Sequence, residues 1–435
     1  MNRAFLKNAL GVGSMQAAQY ILPFVTVPYL SRTLQPAGFG LMIYALSIAG
    51  FLTIVCDYGF AYTAMQSAAA QRDDVNAVRH IFVAVTAAKA SIFLVCVLAF
   101  GILIVVAPHL REHWQVHLLA LLGTFGSVLF PTWLFQALQK FTQMAWLSIS
   151  GRALSVAALF LFVRAPSDVW LAVLLQTLPV SGVAALLLTR HWLGARLPLP
   201  RWTEIKHQLQ IGWRVFASMS AANLYTGAQT VMVGALGGVT AAGYYGAADK
   251  CLTAAKAGFG VLAQSALPQV AYWARHQPDA GLRFISRLLM TFPIGLAASA
   301  SMYFFAEPFV RLLFGAQFIP GVVPLFHILS PIPFIMNLSV CFATLFMFNY
   351  GYQRQWSHML MAASVLALGS LALLQFIMPV QSAAAVAALL AEILVLLVSG
   401  AYSCRAMIGA SYSGFDEMPI GAAPTPVKRV ERIDL

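Results

Sequence analysis

Residues Val27 to Ala64 read VPYLSRTLQPAGFGLMIYALSIAGFLTIVCDYGFAYTA. Two long apolar runs flank the segment Ser31-Arg32-Thr33-Leu34-Gln35-Pro36-Ala37-Gly38-Phe39-Gly40. Pro36 fixes φ and removes a backbone donor, while Gly38 and Gly40 tolerate positive φ, so the chain reverses here. The stretch predicts the end of one membrane helix, a tight turn at the membrane surface and a second membrane helix. Asp57 sits well inside the second run. An ionisable group at that depth is costly against lipid and is expected to face protein or water.

The remaining sequence repeats this pattern. The chain has 435 residues, 60% of them hydrophobic and 9% charged. Soluble domains carry about 25% charge, so this composition excludes one. Apolar runs of about 20 residues recur, each able to cross the bilayer as a helix, and the strict alternation of barrel strands is absent. The expected fold is all-α and polytopic, with twelve spans near 9–30, 39–64, 81–107, 116–138, 144–163, 168–189, 211–236, 243–271, 284–306, 322–349, 356–378 and 382–405, each bound good to about three residues. Arg3 and Lys7 precede the first run as in a signal peptide. That run continues through Pro23 to Leu30, too long for a signal core, and reads as an uncleaved span. Cys56, Cys96, Cys251, Cys341 and Cys404 lie in or at the end of apolar runs, odd in number and without a CxxC, and read as buried thiols.

Charge gives the topology. Of the 26 Lys and Arg, seventeen fall in segments on the side of the N-terminus, and Arg32, Arg111, Arg164 and Arg311 fall on the other. The positive-inside rule then places both termini in the cytoplasm. It also accounts for most of the net charge of +12 without nucleic acid.

An internal repeat divides the chain. Ser14-Met15-Gln16-Ala17-Ala18-Gln19 matches Ser218-Met219-Ser220-Ala221-Ala222-Asn223 at an offset of 204 residues. Ala37-Gly38-Phe39-Gly40 matches Ala241-Ala242-Gly243-Tyr244 with a one-residue slip. Six spans separate the copies, so two pseudo-symmetric six-helix bundles share one orientation and a substrate path is expected between them. The expected division is residues 1–190, a cytoplasmic linker at 191–210, residues 211–405, and a disordered cytoplasmic tail at 406–435 rich in Gly, Pro and charge.

The polar residues inside the spans are the candidate site. In span 8, Gly246, Asp249, Thr253, Lys256, Gly260 and Gln264 fall on one narrow helical face. Such a stripe lines a water-filled cavity or packs a helix seam. Lys256 favours the cavity. Lys250 lies 100° away, placed to snorkel or to line a neighbouring wall. Gly50, Thr53, Asp57, Ala61 and Ala64 form a similar face in span 2. Gln16, Gln19, Pro23 and Thr26 do so in span 1, and Asn223, Thr226 and Thr230 in span 7. Pro23 and Pro28 also kink or hinge span 1.

Lys89, Arg152, Arg214, Lys250 and Lys256 are the cations within spans, against the acids Asp57, Asp249 and Glu392. Arg152 and Arg214 lie near span ends, where snorkelling and path lining are equal readings. The excess of cations favours an anionic substrate such as a diphosphate. Asp57 and Asp249 are the candidate sites for a coupling ion, H+ or Na+. His109, His113 and His117 have metal-ligand spacing beside Glu112, but their segment reads as an ordinary outside loop, and no metal or other cofactor is expected. No GxxxxGK[ST] occurs, and no loop is long enough for a catalytic domain. A non-enzymatic secondary transporter follows.

The segment LSRTLQPAGFG, followed by an apolar helix ending in CDYGF, resembles the flippases of the polysaccharide transport family. Their superfamily also holds the MATE drug exporters and the lipid II flippases. The resemblance runs from about Asn2 to about Met407. It implies a MATE-like fold in the bacterial inner membrane, working by alternating access. It further implies translocation of undecaprenyl-diphosphate-linked oligosaccharide for O-antigen or exopolysaccharide (lipopolysaccharide) biosynthesis. In that picture the five intramembrane cations attract the substrate, Arg32 lines the exit, and the partners are membrane lipids and the polysaccharide polymerase machinery. The alternatives are a lipid II flippase, a MATE-like cation-coupled multidrug exporter and, from another class, a membrane polymerase or glycosyltransferase. The exporter calls for buried acids in excess, the lipid II flippases commonly have more spans, and the enzymes need sizeable loops.

Overall fold

The structure, a computed structural model, describes the backbone of residues 3–191 and 200–410. It describes side chains within 22–179, 181–183, 200–213, 215–216 and 228–405. The described residues are almost entirely helical and include no strand. The first half holds α1 (Arg3–Asp57), α2 (Phe60–Ala70), α3 (Val75–Val106), α4 (Pro108–Arg111), α5 (Trp114–Leu129), α6 (Thr132–Ala137), α7 (Phe141–Phe162) and α8 (Val169–His191). The second holds α9 (Trp202–His276), α10 (Pro278–Leu289), α11 (Phe292–Phe304), α12 (Ala306–Leu313), α13 (Ile319–Leu329), α14 (Ile332–Ser339), α15 (Gln353–Leu374) and α16 (Val380–Ala410). Between α14 and α15 the chain widens into a π-helix at Val340–Met347.

Among the described residues nine stretches are long and apolar enough to span a membrane. Two of them, Leu22–Ala70 and Ala228–His276, are longer than one crossing, because each contains two helices joined at a sharp kink, the first continuing into α2. With both doubled and α8 added, the helices are consistent with about twelve crossings. The kinks are the same device used twice. Gln35 has φ 60° and ψ 170°, and Gly238 has φ 79° and ψ 178°. They stand 203 residues apart, which sets the slip in the repeat and aligns Gly40 with Gly243. Glycine reaches this backbone region freely. Gln35 does not, and its Nε2 donates to the Arg32 carbonyl at 2.9 Å across the turn. The end of the molecule carrying both kinks is called upper below.

The stretch that marks the fold holds one surprise. Its second helix does not run unbroken through Asp57. The helix ends there, Tyr58 and Gly59 both take positive φ (44° and 80°), and the chain resumes as α2. The expected buried acid therefore stands at a helix break, where backbone groups are freed and water or a partner side chain has access. Span 4 breaks similarly between α5 and α6, at Phe130-Pro131, where Pro131 lacks a donor.

The halves share a core. Leu30, Leu34 and Phe39 of α1 pack in one buried cluster with Phe314, Phe318, Phe326 and the alanines Ala383, Ala384 and Ala387 of α16. In an apolar solvent such packing draws on close contact and dispersion rather than on water exclusion, hence the small residues. Two aromatic levels bracket the helices. Exposed Trp114 and Trp170 begin α5 and α8 at the upper end, and exposed Trp146, Trp202 and Trp213 lie toward the lower. Tryptophan concentrates at membrane–water interfaces.

Candidate functional site

Two of the intramembrane cations are paired, each inside its own half. Lys89 Nζ of α3 lies 2.5 Å from Asp57 Oδ1, with the Lys89 side chain 4% exposed and Asp57 47%. Lys256 Nζ of α9 lies 3.0 Å from Glu392 Oε1 of α16, with exposures of 27% and 7%. In each pair a buried charge meets an opposite charge that reaches more solvent, which is the arrangement a charge at membrane depth requires. The pairs remove two cations and two acids from the expected field. Arg152, half-buried at the middle of α7 rather than near a span end, and Lys250, exposed on α9, have no ion pair among the described residues, and neither does half-buried Asp249.

Lys250 and Thr253 line one cavity of about 210 Å3 between the halves, together with Pro23, Phe24, Val27 and Pro28 of α1. Cys251, Ala254, Leu313 and Phe314 complete it. Lys250 thus lines a wall although it lies off the polar stripe of α9. The stripe itself changes role along its length. At the upper end Gly246 is a packing position, where an added Cβ would stand 2.6 Å from the Ile43 side chain. Lower down Thr253 is exposed and Lys256 reaches Glu392. The stripe thus packs against α1 at Gly246 and lines the cavity at Thr253.

Above the cavity the two kinks meet. A Cβ on Gly40 would stand 1.8 Å from the Val239 carbonyl oxygen, and one on Gly243 would stand 2.4 Å from that of Pro36. These contacts exchange under the 203-residue offset, so a pseudo-two-fold axis passes between them. Only bare glycine lets the backbones approach this closely. Gly234 likewise lies under the Tyr44 ring, 2.2 Å from a Cβ position. Arg32 donates from Nη2 to the Leu312 carbonyl at the end of α12, tying the first half's turn to the second half. The guanidinium satisfies a carbonyl that the helix end leaves open.

Below the cavity an aromatic contact joins the halves. Tyr58, turned outward by the break, stacks on Phe216 with centroids 4.9 Å apart and planes at 18°, and lies 6.2 Å from Trp213. Gly212 fits against the Tyr58 carbonyl, 2.8 Å from a Cβ position. Sequence reasoning had no sign of this contact, because neither the break nor the lower pairing follows from periodicity.

The other expected polar faces divide. Thr53 Oγ1 donates to its own turn at Ala49 and lies 3.4 Å from Thr124 of α5, so this part of span 2 packs within its half. The side chains of Gln16, Gln19, Arg214, Asn223 and Thr226 lie outside the described residues, as do 192–199 of the expected linker at 191–210 and 411–435 of the expected tail at 406–435, whereas 202–210 open α9 and 406–410 end α16 as helix. His109, His113 and His117 do not share a helical face, because α4 ends at Arg111 and α5 begins at Trp114. Among the described residues no His, Cys, Asp and Glu group has metal-site geometry. His117 is instead buried against Tyr44, at 5.4 Å edge-on, and Phe100.

Known proteins share this architecture and sequence. The sequence profile described as "Polysaccharide biosynthesis protein" matches residues 5–271. A protein of Escherichia coli (strain K12) provisionally named an O-antigen transporter is 28% identical over 368 residues, covering 83% of this chain and 88% of the relative. A provisional O-antigen transporter of Shigella dysenteriae is 23% identical over 316 residues, 72% of this chain and 78% of the relative. In fold, the chain is similar to the lipid II flippase MurJ in an inward closed conformation, with a TM-score of 0.64, 12% identity, and coverage of 91% and 87%. An inward-facing MATE multidrug resistance transporter gives 0.62, with 12% identity and coverage of 89% and 99%.

Proposed function

Since the chain belongs to the polysaccharide biosynthesis protein family, a multi-pass membrane transporter of polysaccharide precursors rather than an enzyme, we propose that it flips undecaprenyl-diphosphate-linked oligosaccharide across the bacterial inner membrane. The repeat units would pass from the cytoplasmic leaflet to the outer one, for O-antigen or exopolysaccharide assembly by the polysaccharide polymerase machinery. The relatives' names support the polysaccharide class. One observation carries the finer reading. After Lys89 and Lys256 are matched with Asp57 and Glu392, Arg152 and Lys250 remain cationic at membrane depth, and Lys250 lines a cavity between the halves. A diphosphate entering there finds positive charge in a medium of low dielectric, where each charge-assisted contact is strong. The lipid tail stays in the bilayer while the head group passes between the halves.

The paired acids supply a route for coupling. Protonation of Asp57 would free the Lys89 ammonium, and a proton gradient would then bias one state over the other. Asp249, without an ion pair among the described residues, is the second coupling site, for H+ or Na+.

The experiment uses cells in which the chromosomal copy is depleted and variants are expressed to equal levels. Lipid-linked oligosaccharides are assigned to a leaflet with an enzyme that reaches only the outer face. Depletion should leave complete repeat units on the cytoplasmic side. Arg152→Gln and Lys250→Gln should each lower export about tenfold, the loss of roughly one charge-assisted contact. Normal outer-face display on depletion, with greater sensitivity to cationic drugs, would replace the flippase with an exporter.

A further inference from the structure

We infer that the lower end of the first half carries a binding site for the phosphate headgroup of an anionic phospholipid. Two connections far apart in sequence meet there. The α2–α3 connection brings Arg72, α3 brings Arg79 from its second turn, and the α6–α7 connection brings Lys140. All three line one cavity of about 510 Å3. The positive-inside rule places cations on this side but does not require them to converge. Convergence comes from the break after α5 and from Gln139, whose φ of 55° turns the chain so that Lys140 stands at the N-terminus of α7.

The nearby acids do not cancel this charge. Asp74 is engaged with its own helix, accepting from the Asn76 and Ala77 amides at 2.9 and 3.1 Å. Glu204 faces His80 at 3.3 Å. Asp73 is 97% exposed and meets Arg72 only at 3.8 Å. Three guanidinium or ammonium groups therefore share the cavity with one loosely held carboxylate. Gln139 and Gln143 add amide donors at the rim.

The floor decides between a lipid and a soluble anion. Val78 and Leu134 of the lining are buried, Phe135 and Leu138 are partly buried and Val75 is 60% exposed, so the apolar lining runs from the core to the surface. Trp146 is 68% exposed on α7, six residues above Lys140, or about 9 Å along the helix. With Trp146 at the interfacial belt, Lys140 and its neighbours stand at headgroup depth. A cationic rim over an apolar floor at that depth fits a phosphodiester whose acyl chains continue into the bilayer. This inference stands apart from the flippase reading, since none of the residues lining this cavity lines the one that holds Lys250.

The test uses the full chain in lipid nanodiscs, with bound lipid counted by native mass spectrometry during titration with dioleoyl phosphatidylglycerol. Wild type should retain phosphatidylglycerol over phosphatidylcholine. The double variant Arg79→Gln/Lys140→Gln should bind it about 30-fold more weakly, from the loss of two interfacial cations. The control Arg283→Gln/Arg287→Gln removes the same charge from α10 and should bind as wild type does. Should Arg79→Gln fail to give monodisperse protein, Lys140→Gln alone carries the comparison, with about a fivefold loss expected. Equal retention of the two lipids, or equal loss in the control, would overturn the site. Displacement by millimolar inorganic phosphate would make it a soluble-anion site and overturn the lipid assignment. Retention of a cytoplasmic protein in place of lipid would overturn it equally.

Discussion

The Lys89–Asp57 pair shows how a charge is kept at membrane depth. Lys89 is nearly inaccessible, and its ammonium needs both a counter-charge and hydrogen-bond acceptors. Asp57 supplies these because the helix stops beside it and the chain turns away at Tyr58 and Gly59. Asp57→Asn leaves the ammonium buried without its counter-charge, which costs about 2 kcal/mol once the exposure of Asp57 is allowed for. Lys89→Met alone leaves a carboxylate that reaches solvent and should cost less. The double variant should recover most of the loss of Asp57→Asn, because no unpaired charge remains buried. Thermal unfolding of the four proteins in one detergent measures this. Additive losses would mean that the two groups are not coupled. The sequence showed both residues and their depth. It gave no hint that they pair, because they lie 32 positions apart with a helix break between. Lys256 and Glu392, 136 positions apart, were hidden for the same reason.

At the scale of elements, the upper closure rests on two kinks and two glycines. Pro36 and the glycines following it were legible as a turn, and the repeat announced a second copy. The contact between the copies was not legible, since it depends on which helix faces meet across the axis. It makes a distinctive demand. Gly40→Ala sets a methyl carbon against the Val239 carbonyl, a backbone group that cannot rotate away. The helices must separate, at a cost of about 1–3 kcal/mol. Export should fall with closure, because the upper ends no longer meet. Gly101→Ala is the matched comparison. Nothing lies within 4 Å of its Cβ position inside α3, near its upper end, and alanine there should leave stability unchanged or raise it by about 0.5–1 kcal/mol. Melting temperature and surface glycan display of the two variants check this. Equal behaviour would mean that the glycine contact carries no weight in closure.

For the whole molecule, the number of crossings sets which connections share a side, and the charge asymmetry is the argument for which side faces the cytoplasm. Composition and hydropathy made the span count legible, because each run of about 20 apolar residues must be satisfied by lipid or by another helix. Sidedness rests on a separate argument, the excess of Lys and Arg in alternate connections. Asp73 follows two crossings and Ser167 follows five, so the two positions lie on opposite faces. Both are exposed and stand outside the helices that cross. In intact cells expressing the cysteine-free chain, Ser167→Cys should react with a membrane-impermeant maleimide. Asp73→Cys should react only after the membrane is opened. The reverse pattern would keep the crossing count and invert the chain, placing the cationic cavity of Arg72, Arg79 and Lys140 in the outer leaflet. Labelling of both positions from one side would break the count itself. It would also remove the parity on which two equivalent halves, and a path between them, depend.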